Sequence, residues 1–370
     1  MSEPADNTVP HRRFTLRRLL SWLGLVIVFT LTMEVAARID DWLTYGAPLL
    51  GSYDMDQLFQ ETARGMRGVS HAKYVKWGLN AQGFRGPEIR PDDGQLRVVT
   101  YGASETFGIY EDPGREFPRD LERDLNADTT AGRFEVINAG IPGMRVGSGV
   151  TYLYDIGRDL HPRVVVIYPT PTHYIGVTHP YCGRPVAPPE APPGGLFESR
   201  LAEKVKDRLK GLLPASGLTL LRRIGIAWTV RSGKVLDRVQ PESLDALRAD
   251  LQCALKAVRD DGAAPILVTH ANRFGRTPRA DDDYWLTGWR LQYPRMRQSA
   301  LLDLETRAND VIREVASQEQ VQVVDAAAAL SGDPENFADH VHFTNTGADK
   351  MALLLSRAVI AAAATPPGHP

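Results

Sequence analysis

Three short runs decide what this chain can fold into. They are "LRVVTYG" (96–102), "FEVINAG" (134–140) and "RVVVIYP" (163–169), and each ends in Gly or Pro. The first and third are near-continuous apolar runs, as strands covered on both faces should be, and such strands belong to parallel sheets. Between them, "FPRDLERDLNA" (117–127) sets Phe117, Leu121 and Leu125 on one helical face, and "GVTYLYDIGRDL" (149–160) reads as a second helix. The order is βαβαβ. It resumes further on with a helix over 241–261, a strand "PILVTH" (265–270), a helix over 299–318, a strand "VQVVDA" (321–326) and a last helix near 345–362. This alternation predicts an α/β domain over 96–362: three layers, α/β/α, around a parallel sheet of about five strands.

The rhythm breaks over 175–240. "GRPVAPPEAPPGG" is proline-rich, and a basic amphipathic stretch follows at 199–213, so the segment reads as an insertion or a lid. Residues 274–296 read as a loop carrying Tyr284, Trp285, Trp289 and Tyr293. Those aromatics suit either a sugar or acyl-chain site or packing at the domain edge. Residues 39–95, including "WGLNAQGFRGPEI", read as a connecting region, and 363–370 as a flexible tail.

At the start of the chain, Arg12, Arg13, Arg17 and Arg18 precede the uncharged run "LLSWLGLVIVFTLTM" (19–33). Taken through Ala37, it approaches the roughly 20 residues needed to cross a bilayer. Basic residues flank its N-terminal side, which predicts residues 1–18 in the cytoplasm, a transmembrane anchor over 19–38 and the rest outside an inner membrane. A cleaved signal peptide, with Val35 and Ala37 as the small residues, is the competing reading. The 370 residues carry a net charge of −2, which argues against a nucleic-acid partner. Cys182 and Cys253 are expected to pair if the chain folds in an oxidising compartment.

A serine, Ser104, stands where the first strand meets a turn. It either caps the next helix or is a nucleophile at the carboxyl edge of a parallel sheet, where open α/β sheets place their ligands. A hydroxyl needs a base within hydrogen-bond reach, and the base benefits from a carboxylate that fixes its tautomer. "FADHVHFTNTG" supplies both: Asp339 and His342 lie three residues apart on one loop. The order Ser, Asp, His also occurs in α/β-hydrolases. Their elbow is GxSxG, however, and Thr106 stands where its last Gly belongs.

"TYGASETFG", "VINAGIPG" and "DHVH" together resemble the blocks of the SGNH, or GDSL-type, hydrolases, and the "NAQGFRG" lead-in is similar to a membrane-anchored bacterial branch. The resemblance covers roughly 78–174 and 320–360. It implies a flavodoxin-like sheet, Ser104 as nucleophile, Asp339 and His342 as its partners, and Gly140 as an oxyanion donor with the Ser104 N–H. Ala103 replaces the family's usual Asp. In the third block Thr172 stands where the family has an Asn that donates to the oxyanion, so either Thr172 or the adjacent His173 takes over that donor, or the activity is slow. Competing structural readings stand beside these: Asn138 bonding turn backbone, Gly140 and Gly143 serving only to permit positive φ, Glu105 favouring a helix start, and His173 satisfying a loop carbonyl; His340 is off-register.

What this implies is an extracytoplasmic serine esterase acting on acyl esters, acetyl esters of an envelope polysaccharide above all, with no metal or cofactor. Acyl transfer from the same acyl-enzyme, or a non-catalytic glycan-binding module, are the alternatives.

Overall fold

The computed structural model describes residues 11–46, 49–50, 55–127, 133–182, 199–231, 233–275 and 278–364. The proline-rich stretch 183–195, the first ten residues and the tail from 365 lie outside them, as do the side chains of Arg12 and Arg13. Helix α1 (His11–Tyr45) comes first. Two small hairpins follow, β1 (Phe59–Thr62) with β2 (Gly65–Gly68) and β3 (Lys73–Tyr74) with β4 (Trp77–Gly78). Next come β5 (Leu96–Gly102), the short α2 (Ser104–Phe107), α3 (Phe117–Ala127), β6 (Phe134–Asn138), α4 (Val150–Leu160) and β7 (Val164–Tyr168). Helices α5 (Arg200–Leu212) and α6 (Ala215–Thr229) interrupt the alternation. It resumes with α7 (Pro241–Asp260), β8 (Ala264–Val268), α8 (Asp283–Gln292), α9 (Gln298–Gln318), β9 (Gln322–Val324), α10 (Ala326–Leu330) and α11 (Asn345–Ala364).

The chain divides into two units. One holds α1 and α5; the other holds the described residues of 55–182 and 213–364. Over Arg17–Thr44, α1 is long and apolar enough to cross a membrane, with a mean hydropathy of 2.0. Leu23, Ile27 and Phe29 are exposed on it. Within this unit Glu34 receives the Ser199 hydroxyl at 2.7 Å and the Leu201 N–H at 2.9 Å, so it caps the start of α5.

In the larger unit five parallel strands run in the order β6-β5-β7-β8-β9. Residue parity explains the layers, since successive side chains leave opposite faces of a strand. Val98, Val136, Val164, Val166, Ile266 and Val268 pack with residues of α3 and α11. Val99, Ile137, Val165, Ile167 and Leu267 pack with residues of α4, α7 and α9. Full burial of each such side chain contributes about 1.5–3 kcal/mol before chain entropy is counted. The first strand of the set, β5, has neighbours on both sides, so the connections leave it in opposite directions. The carboxyl ends of β5 and β7 therefore border the crevice where such sheets bind ligands.

Two segments differ from what the sequence suggests. Residues 39–95 carry the two hairpins, and Leu58, Trp77 and Leu79 form a small core with Phe107 of α2. The buried Arg85 guanidinium donates to the carbonyls of Phe107 and Gly108, so this lead-in holds the end of α2 in place. Residues 274–296 are not simply a loop, because α8 occupies much of the segment. Trp289 is fully buried there, stacked 5.6 Å from Phe274 and 5.4 Å from His340.

Beyond β7 the chain is tied to α7. Buried Asp250 accepts the Tyr174 hydroxyl at 2.8 Å and the N–H groups of Tyr181 and Cys182 at 2.9 Å each. One turn on, Cys253 forms a disulfide with Cys182, with Cα atoms 6.2 Å apart across 71 residues of sequence. Cys253→Ser is expected to lower the unfolding free energy by about 2–4 kcal/mol. Urea denaturation of the full chain checks this, and an unchanged midpoint contradicts it.

Candidate active site

Ser104 is the first residue of α2, directly after β5. Ala103 occupies the cap position and no side chain caps this helix, so capping is not what Ser104 does. Its hydroxyl is 2.9 Å from His342 Nε2. His342 Nδ1 is 2.7 Å from Asp339 Oδ2. The other carboxylate oxygen, Oδ1, accepts the backbone N–H groups of Val341 and His342, each at 2.9 Å. One carboxylate thus fixes both the loop and the ring. A carboxylate only accepts here, so Nδ1 carries the hydrogen and Nε2 is left bare toward Ser104.

The electrostatics agree with that assignment. Burial drives the Asp339 pKa upward, but the His342 bond and the charges of His342 and His340 outweigh it and hold the group at about 2. Burial drives His342 downward, and the bond and charge of Asp339, with Glu105 and Glu111, more than reverse this, so the net shift is upward. An ordinary imidazole titrates at about 6.5. A base must be neutral to accept a proton, so a raised His342 pKa moves the acid limb of any activity upward. The expected kcat/KM for a neutral ester falls with acidification through a midpoint above about 6.5. A pH profile with its midpoint below about 6 contradicts this.

No protein-family model matches this chain, and no curated protein does. Among solved structures it is similar to the aryl esterase of M. smegmatis, at 14% identity over 72% of this chain and 99% of that one, with a TM-score of 0.44. It is also similar to a lipase/acylhydrolase from Enterococcus faecalis, at 17% identity over 75% and 100%, TM-score 0.41. An acetyl xylan esterase gives 14% identity over 71% and 100%, TM-score 0.41.

The remaining residues singled out in the sequence fall around this centre. Gly140 does not have positive φ; it is there for space, since a Cβ would lie 2.4 Å from the Phe107 backbone nitrogen. Its N–H donates to Asn138 Oδ1 at 3.0 Å, and it must share or exchange that bond to serve an oxyanion. Gly143 does take φ +78°. Thr172 is buried in the turn Pro171–Tyr174. His173 Nδ1 lies 3.1 Å from the Met144 carbonyl, as a structural histidine would. His340 is buried against Trp289, and burial lowers its pKa to about 4, leaving it neutral. Tyr110, half exposed, sets its ring 5.4 Å from that of His342.

Two further residues join the site only in the fold. His270 follows β8 at the same sheet edge, and Glu305 lies on α9; both are buried. The signals were there. "PILVTH" ends a strand in a histidine, and Glu305 interrupts an apolar stripe of Leu301, Leu304, Ala308 and Ile312.

Proposed function

We propose that this chain is an extracytoplasmic serine esterase that cleaves acyl esters, in particular acetyl esters of an envelope polysaccharide. The observation that carries the reading is the line from Asp339 through His342 to Ser104 at the switch point of the sheet. Ser104 Oγ attacks the ester carbonyl carbon while its proton passes to His342 Nε2. The tetrahedral intermediate collapses, the carbon–oxygen bond to the alcohol breaks, and His342 returns the proton to the leaving alcohol. Water then attacks the acyl-enzyme, gives its proton to His342 and releases the carboxylic acid, with Ser104 reprotonated. Asp339 orients the ring and stabilises its charged form.

The proposed oxyanion donors are the N–H groups of Ser104 and Gly140 and the Thr172 hydroxyl. The Ser104 N–H opens a helix, so no carbonyl of its own helix takes it. No step calls on a metal or a cofactor. The apolar α1 and the Cys182–Cys253 disulfide support a membrane-anchored protein whose catalytic part lies in an oxidising compartment. Acetate release from acetylated glycans, with long-chain lipid esters untouched, is the expected outcome of a substrate panel. Activity on lipid esters alone removes the glycan assignment. The exposed Tyr110 ring beside His342 gives acyl transfer a foothold, because sugars stack on aromatic faces. With a sugar acceptor added, hydrolysis yields free acid and transfer yields an acylated sugar.

A further inference from the structure

The Ser104 hydroxyl has a second neighbour. Its oxygen is 3.2 Å from Glu105 Oε2, an atom that also accepts the Thr170 hydroxyl at 3.0 Å. Glu105 Oε1 lies 3.2 Å from His270 Nε2, and His270 Nδ1 lies 2.7 Å from Glu305 Oε2. Six side chains therefore form one hydrogen-bonded line: Asp339, His342, Ser104, Glu105, His270 and Glu305. The serine sits between two carboxylate–imidazole pairs.

The inner half is fully buried, with His270 at 0% and Glu105 at 1% exposure. Both ring nitrogens of His270 face carboxylate oxygens, and each contact needs a hydrogen on nitrogen, so the geometry calls for an imidazolium. The ring is also fixed from other sides. Tyr168 stacks on it at 5.5 Å, and Asn309 bonds both its backbone N–H and its carbonyl. Burial opposes the charge on His270, but the two glutamates outweigh it and raise its pKa to about 10. Burial likewise opposes the charge on Glu105, and the bond and charge of His270 reverse this and keep it ionised.

A serine hydroxyl has one hydrogen, and here two acceptors compete for it. We propose that Glu105, clamped by His270 and Glu305, is a positioning residue that holds the Ser104 hydroxyl as a second acceptor and governs how readily its proton passes to His342. This rests on the esterase reading and deepens it. When His342 is protonated it no longer accepts, and the serine hydrogen points to Glu105. When His342 is neutral, the hydrogen is divided between the two. Once Oγ is acylated it carries no hydrogen, and the Glu105 contact is lost as a hydrogen bond until the serine is regenerated.

The charged and titratable groups around His342 are Asp339 and His340 on its own loop, Glu105 on α2, and Tyr110 and Glu111 just beyond α2. Removing the Glu105 charge lowers the pH at which His342 gives up its proton. Glu105→Gln in the full chain is therefore expected to move the acid limb of acylation down by about one pH unit, with KM for a small ester unchanged. Glu305→Gln touches neither Ser104 nor His342 and still accepts from His270. It is expected to shift the limb in the same direction by less, and it keeps the question open to test should Glu105→Gln fail to fold. A rate that falls equally at every pH, with the limb in place, means these residues only support the fold and overturns the proposal.

Histidine-selective ¹⁵N NMR titration gives the same answer without any reaction. The His342 midpoint should fall in Glu105→Gln, while the wild-type His270 stays protonated through neutral pH. If wild-type chain proves unreactive yet these titrations behave as stated, the esterase reading fails and the clamp survives. If the chain reacts but His270 is neutral at pH 7, the clamp fails alone.

Discussion

Ser104→Ala is expected to leave a folded chain whose kcat for ester cleavage is down by about 10⁶-fold, the scale seen when a triad serine is removed. The fold survives because the Ser104 side chain caps nothing in α2. No neighbour replaces it: Thr106, the next hydroxyl along, is fully buried. His342→Ala is expected to lose nearly as much, since an unassisted hydroxyl is a poor nucleophile at neutral pH. The two losses should not add. A double variant that falls no further than either single one marks a unit acting together. Initial rates with a chromogenic acetate ester, beside thermal melts of each variant, provide the check.

Asp339→Asn is expected to cost about 10⁴-fold in kcat with little change in stability. The Asn carbonyl oxygen can still accept the N–H groups of Val341 and His342, so the loop keeps its turn. Its NH₂ then faces His342 Nδ1, which must become the acceptor. The ring hydrogen moves to Nε2, facing Ser104, and the ring no longer takes the serine proton. A neutral-ring ¹⁵N spectrum showing the tautomer reversed, together with the lost rate, establishes the cause. A variant that retains wild-type kcat shows that His342 is not the base.

The layers were readable because each central strand is apolar on both sides and each flanking helix repeats at helical spacing. Val98 and Val99 facing opposite cores is a direct result of that pattern. Ser104, Asp339 and His342 were readable because one follows the first strand and two share a loop at a spacing that lets a carboxylate reach its ring. The Glu105–His270–Glu305 line was not, because its members come from α2, the end of β8 and the middle of α9. Only the closed sheet brings them together. Turn residues around Trp285, Trp289 and Tyr293 give the segment the look of a loop, although its aromatics recur every four residues, which is a helix period. The burial of Trp289 against Phe274 and His340 follows from that helix. Positive φ, the structural alternative to an oxyanion role for Gly140, is not what the residue supplies; its lack of a side chain matters for space against Phe107.

The most direct test of the central claim is to treat the full chain with a fluorophosphonate probe and locate the adduct by mass spectrometry. The nucleophile assignment predicts a single adduct on Ser104, formed at a rate that collapses in His342→Ala and is absent in Ser104→Ala. A folded wild-type chain that takes up no probe, or takes it up elsewhere, contradicts an activated serine at this site.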